Sequence, residues 1–318
     1  MSNSILSKPY FHNEEAAYEF VEARIWPRGA VCPHCGGTEH NKKMGGASTR
    51  IGTYKCYDCR KPFTVKIGTI FEASHIPMRV WLQAIFLIAS SKKGISSNQL
   101  HRTLGITLKS AWFLSHRIRE AMATSPDGLL GEGGGTVEAD ETYIGNSARS
   151  IAGKAARAAG VQRGGHSKEK IVSVVERGGH VRSFHVENVN GPTLKAVLFG
   201  NIAKDANLMT DEYRGYRAIG RKFASHEAVN HSAKEYVRGD AHTNTIEGYF
   251  SIFKKGMEGV YQHCEYQHLH RYLSEFDFRY CQRIALGVDD QERAENILLG
   301  VVGKRLMYKT PYFANTLV

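Results

Sequence analysis

The sequence predicts an α/β chain in three parts: a metal-binding knuckle, a helical segment, and a core that mixes strands with helices. Three observations support this. Two C-x-x-C pairs stand near the start, helical periodicity runs from Pro77 to Met122, and strand-like patterning begins at Thr136. The boundaries follow these shifts: residues 1–30 are a helical lead-in, 31–70 the knuckle, 77–125 the helical segment, 134–285 the core and 286–318 a tail.

At 318 residues the chain is long enough for two or three domains. Its formal net charge of +11 points to a polyanionic partner, because neutralised phosphates release condensed counterions. Glu14, Glu15, Glu19 and Glu22 argue against a secretory signal at the start. The longest apolar stretch, Trp81 to Ala89, is far short of the roughly 20 residues that a membrane span needs. The expected place is the cytoplasm. Six cysteines in such a chain argue against a disulfide scaffold.

Four of those cysteines form the knuckle. Cys32-Pro33-His34-Cys35 and Cys56-Tyr57-Asp58-Cys59 are separated by twenty residues, the spacing of a zinc ribbon. Each pair sits on a tight turn that aims two thiolates at one point, and two turns complete a tetrahedral site. Gly36 and Gly37 supply the positive φ that such a turn often needs. His34 and His40 are competing ligands only on paper, since four thiolates leave no vacancy. The little apolar sequence nearby makes Zn2+ binding part of the folding energy.

In the helical segment Trp81, Ile85, Phe86 and Ile88 form a stripe that ends near Gly94. Ser96 or Ser97 caps a short helix through Leu100 and Leu104, closed by Gly105. Thr107 opens a third helix carrying Ala111, Leu114, Ile118 and Met122. This is the layout of a helix-turn-helix, the alternative being a helical linker. Its third helix is expected to show Lys109, His116, Arg117 and Arg119 to solvent, with Lys109, Arg117 and Arg119 contacting DNA.

The core opens with a strand, Thr136 to Ile144, with Asp140 near its middle. Residues 145–170 read as a mobile basic loop. Ile171 to Val186 is a hairpin with a Gly-Gly turn, Thr193 to Ala203 a helix, and Asn207 to Thr210 a buried strand ending at Asp211. Three strands, a helix and a strand is the order of a ribonuclease H-like core. In that fold the first and fourth strands are neighbours, so Asp140 and Asp211 meet. A later helix, His242 to Lys255, brings Glu247 on the face opposite its apolar stripe of Ile246, Phe250 and Phe253. Lys254 follows one or two turns later, placed for a DNA phosphate.

Three carboxylates suit phosphodiester chemistry. Mg2+ or Mn2+ are hard cations that take oxygen ligands, and two such ions can steady the attacking and leaving oxygens together. Glu138 shares the strand face of Asp140 and competes with it. Glu258 competes with Glu247 but lies beyond Gly256, outside the stripe. Cys264 and Cys281 are expected to pack among the last helices, and His263, His268 and His270 to lie on a helix surface or face DNA.

The strings Glu138-Ala139-Asp140-Glu141-Thr142-Tyr143, Thr210-Asp211-Glu212 and Asn244-Thr245-Ile246-Glu247-Gly248-Tyr249 resemble the ISXO-type insertion-sequence transposases, relatives of the Merlin elements. So do the segment His268 to Tyr280 and the ribbon at Cys32 to Cys59. The resemblance implies DNA cleavage and strand transfer at terminal inverted repeats by a DDE transposase. It maps the Mg2+ ligands onto Asp140, Asp211 and Glu247, with Lys254 as the basic residue after the third acid. Lys254 and Lys255 are expected on DNA as well. The implied partner is double-stranded DNA, both element ends and target, bound by a homodimer or larger assembly. A DNA-binding regulator with a silent core, or a nuclease without strand transfer, are the competing readings.

Overall fold

The computed structural model describes residues 4–123, 128–145, 168–233 and 235–307. The chain divides into two compact units, Met1–Thr124 with Val288–Val318, and Ser125–Gly287. Of the basic stretch 145–170, residues 146–167 lie outside the described residues.

The first unit begins with α1 (Glu14–Ile25), whose N-terminus is capped by the Asn13 side chain accepting from Ala16 N. A three-stranded antiparallel sheet follows, β1 (Asn41–Lys43), β2 (Tyr54–Cys56) and β3 (Pro62–Phe63). Its inner face packs Tyr54 and Phe63 against Trp26 and the buried Cys32 and Cys56. Three helices come next: α2 (Met78–Ser90), α3 (Ser97–Leu104) and α4 (Leu108–Met122). Ser96 caps α3, Gly105 ends it in the left-handed region at φ 64°, and Thr107 caps α4, as a helix-turn-helix connection requires.

Two expectations need correcting here. The segment 286–318 is not simply a tail, since it carries a helix, α9 (Asp290–Leu299), that packs on α2 and α4. Nor does α4 show its basic residues to solvent: Lys109 is exposed, but His116, Arg117 and Arg119 are buried. The cause is the returning chain. Arg117 Nε donates to Leu306 O at 3.1 Å, Lys304 Nζ donates to Ala121 O and Ala123 O, and Gly300 lies so close that a Cβ there would stand 2.2 Å from Ala121 O. Arg119 donates to Ser115 Oγ one turn back on its own helix. Arg117 and Arg119 are therefore buried, not shown to solvent as their helix position predicts.

The second unit is built on a five-stranded sheet of β4 (Thr136–Ile144), β5 (Glu169–Glu176), β6 (Val181–Val186), β7 (Asn207–Thr210) and β8 (Ser225–Ala228). The strand order is β6-β5-β4-β7-β8. The first three strands pair antiparallel, while β4-β7 and β7-β8 pair parallel. This is the ribonuclease H-like arrangement. Strand alternation sorts the faces. Val137, Ala139, Val172 and Val174 pack against α5 (Gly191–Asn201) and α6 (Arg214–Gly220). Ile171, Val175 and Val181 meet α7 (Asn244–Gly256) and α8 (Leu269–Cys281) on the other side. Helix α5 starts two residues earlier than its apolar pattern, because Asn190 caps it and Pro192 suits its first turn. A short ladder, β9 (Val237–Arg238) with β10 (Ala241–His242), leads into α7.

One polar knot ties α7 and α8 to β6. The Asp277 carboxylate accepts from Ser183 N and Ser183 Oγ, both at 2.8 Å, and from the buried Tyr249 hydroxyl. Burial pushes Asp277 up to about 6, while those donors hold it down. Asp277→Ala strands the Tyr249 and Ser183 donors inside the protein. It is expected to lower stability by about 3 kcal/mol, read as a lower urea midpoint at unchanged m-value.

Candidate active site

The four ribbon cysteines converge. Their sulfurs all lie within 4.8 Å of one another, with Cys32 to Cys59 and Cys35 to Cys56 each at 3.6 Å. A tetrahedral zinc with Zn–S bonds of ~2.3 Å requires sulfurs about 3.8 Å apart, so the donor set fits Zn2+ in both chemistry and spacing. The two turns match in backbone detail: Cys32 N donates to Gly37 O and Cys56 N to Lys61 O. Gly36 takes φ 77°, as its place in the turn predicts, whereas Gly37 does not need a positive φ.

The carboxylates are gathered by register. β4 runs parallel to β7 with Glu138 opposite Met209, so two further residues along both strands bring Asp140 beside Asp211. Asp140 is half-buried, and its Oδ1 accepts from Glu141 N at 2.7 Å. Asp211 accepts from Tyr213 N at 3.0 Å. Glu247, exposed on α7, accepts from the Thr243 hydroxyl at 2.9 Å.

These acids share one electrostatic field. Burial first, with Glu141, Asp211 and Glu247 adding to it, pushes Asp140 up to about 8. Asp211 is also raised, chiefly by burial, with Glu212 adding to the rise and His231 opposing it. Among the described residues only the four cysteines bring three or more ligand atoms within 4.8 Å, so the acids stand more widely spaced. A site for two ions about 4 Å apart spreads its ligands in this way. Hard oxygen donors, with Asp140 and Asp211 raised by burial, fit that use.

Glu138 is no competing ligand. It is wholly buried, and its Oε1 accepts from Arg177 Nε at 2.7 Å and from Thr245 Oγ1 at 2.8 Å. Its Oε2 accepts from Ile246 N at 2.9 Å, the amide just before Glu247. Arg177 also donates to His242 O at 2.9 Å. Thr243, the residue that precedes α7, makes no side-chain cap, so a carboxylate from the sheet serves the helix N-terminus instead. Glu258 is exposed on a π-helical turn (Met257–Tyr261) that extends α7.

Three neighbours went unnoticed in the sequence. His231 Nε2 lies 3.6 Å from Glu247 and 3.3 Å from Thr243 Oγ1. Glu212 holds that loop by accepting from His231 N, Ser232 N and Ser232 Oγ. Glu141 accepts from the buried Tyr216 hydroxyl at 2.9 Å on the other sheet face. Glu141 and Glu212, each next to a predicted acid, had a local signal; His231 had none. Lys254 is half-buried and Lys255 exposed in the last turn of α7, with Lys254 about 10 Å along the axis from Glu247. Cys281 packs with the α7/α8 cluster, where its thiol donates to Val181 O.

Residues 132–280 match the ISXO2-like transposase domain, and residues 12–62 match the transposase zinc-ribbon domain. The chain thus carries an ISXO2-like transposase domain behind a transposase zinc ribbon. A relative in Halobacterium salinarum, described as an uncharacterized protein in transposable element ISH50, is 27% identical over 256 residues. That alignment covers 77% of this chain and 83% of the relative. The transposase domain spans β4 through α8, so Asp140, Asp211 and Glu247 all fall inside it, and the ribbon domain holds the four cysteines.

Asp140 gives the transposase domain a pH signature. When folded it keeps its proton to about pH 8, whereas unfolded it loses it near pH 4. The folded state thus holds the extra proton between those values, and stability falls as pH rises through that window. With zinc retained and no other divalent metal, melting temperature is expected to drop from pH 5 to 8. Asp140→Asn flattens that drop; an unchanged pH slope in the variant contradicts the assignment.

Proposed function

We propose that this chain binds the terminal inverted repeats of its own insertion sequence and performs metal-dependent DNA cleavage and strand transfer. The observation that carries this reading is the β4–β7 register that sets Asp140 beside Asp211, with Glu247 in the same electrostatic field. Asp140, Asp211 and Glu247 are the residues to hold Mg2+ or Mn2+, and their oxygens suit such ions. Bound there, two ions supply the positive charge that steadies the attacking and leaving oxygens of a phosphodiester.

The protein's own part is to aim and to grip. Glu138 and Arg177 keep α7 against β4, so Glu247 is presented toward Asp140. Lys254 and Lys255 at the far end of α7, with the exposed Lys109 on α4, are proposed to contact DNA phosphates. Zn2+ in the ribbon serves structure. Joining two ends requires two active sites, so a dimer or larger assembly on DNA is proposed, in the bacterial cytoplasm. Among the described residues no helix is long and apolar enough to cross a membrane.

The test is a plasmid carrying the DNA that flanks the reading frame, incubated with purified protein and Mg2+, with a second plasmid as target. Wild type is expected to nick the ends and join them to the target. Asp140→Asn should cut on the order of a thousandfold more slowly while still binding the same DNA. Undiminished cleavage by that variant overturns the metal site. Cleavage without joining leaves a nuclease and overturns strand transfer.

A further inference from the structure

The two faces of the ribbon sheet are unequal. The inner face is closed by Trp26, Tyr54, Phe63 and the cysteines. On the outer face Lys42 and Lys55 stand directly opposite each other across β1 and β2. Like charges in that position repel. Lys43, one residue on, reaches Glu19 at 3.7 Å and Glu22 at 3.8 Å. Among the described residues Lys42 and Lys55 form no ion pair, and the nearby Asp58 is taken by His40 at 2.7 Å. Both ammonium groups instead approach one aromatic ring. Lys42 Nζ lies 5.8 Å and Lys55 Nζ 5.5 Å from the centroid of Tyr57, which is 54% exposed.

A second observation comes from comparing the two knuckles. Each closes with the same backbone bond, Cys32 N to Gly37 O and Cys56 N to Lys61 O, so Arg60 occupies the place of Gly36. Arg60 takes φ 61° there, against 77° for Gly36. An arginine in the left-handed region is strained where glycine is not. The first knuckle uses the relaxed residue, and the second keeps an exposed cation at a conformational cost. From Cys32 to Phe63 the ribbon carries six Lys and Arg against two acids, so an anion, not an apolar partner, complements this face.

We propose that Lys42, Lys55 and Tyr57, with Arg60 on the adjoining turn, form a phosphate-binding surface for duplex DNA. The Tyr57 ring holds the two ammonium groups together by cation–π attraction, and a backbone phosphate relieves their repulsion. The contact positions DNA without reading sequence. This deepens the reading of the chain as a DNA-binding transposase and rests on it.

The test uses the full-length zinc-loaded protein and a fluorescently labelled 30-base-pair duplex of random sequence, titrated by anisotropy at several KCl concentrations. Lys42→Gln with Lys55→Gln is expected to lower affinity on the order of tenfold and to flatten the slope of log affinity against log salt by about 1.8, the yield of two lost phosphate contacts. Tyr57→Phe should bind like wild type and Tyr57→Ala more weakly. Arg60→Gly separates binding from folding: it should hold zinc better against a chelator yet bind the duplex less tightly. A purely structural Arg60 gives better zinc retention with unchanged binding, which overturns its place in the surface. A wild-type salt slope in the double lysine variant overturns the surface itself. Stronger competition by an unlabelled RNA duplex than by DNA overturns the choice of partner. If wild type binds no duplex at all, the broader reading fails with it; the other failures leave that reading standing.

Discussion

One buried carboxylate holds the proposed active site in register. Glu138 has no solvent contact, and stripping water from a charge costs several kcal/mol unless partners replace it. Here the partners are Arg177, the Thr245 hydroxyl and the Ile246 amide. The guanidinium offsets the charge, and the positive end of α7 adds to the offset. These bonds tie the first turn of α7 to β4, so the clasp fixes where the helix begins against the sheet. Strand alternation does the rest. Glu138 and Asp140 point the same way from β4, so the group that anchors α7 and the acid that faces it are two residues apart. The next residue after the anchored amide is Glu247.

The same packing accounts for the state of Asp140. The sheet and α7 remove water from its carboxyl while Glu141, Asp211 and Glu247 add negative charge around it. Such a collection of acids repels itself, and the proposed divalent cation would offset that charge. The carboxylates of the clasp and of the Asp277 knot, in contrast, have hydrogen-bond donors on both oxygens. The ribbon repeats the principle with softer ligands. Its sulfurs lie at the spacing a zinc ion sets, and the small sheet around them has few other apolar contacts to stand on.

What could be read from the sequence was whatever local pattern determines. The C-x-x-C pairs, the Val137-Glu138-Ala139-Asp140 alternation, the Gly-Gly hairpin and the Ile246, Phe250, Phe253 stripe each carry their geometry in neighbouring residues. Strand order alone predicts Asp140 and Asp211 as neighbours. Long-range contacts were not legible. The burial of Arg117 depends on Leu306, and that of α4 on Gly300 and Lys304, far along a segment with no amphipathic signal strong enough to announce a helix. Glu138 looked like a rival ligand because its partner Arg177 sits beyond a hairpin strand. His231 lies on a short loop whose position near Glu247 is set by Glu212, a contact without a motif.

The proposed site depends on the clasp that turns Glu247 toward Asp140, and Glu138→Gln tests it most directly. The amide keeps the size of the side chain but removes the charge that draws Arg177. Titrating Mn2+ into the zinc-loaded protein, followed by the loss of the free-ion electron paramagnetic signal, reads the carboxylate site without relying on turnover. The expected result is Mn2+ binding weakened by at least about tenfold with zinc content and helical signal unchanged, the penalty typical of losing a partner that orients a ligand. Mn2+ affinity equal to wild type in that variant would contradict the clasp as the element that organises the site.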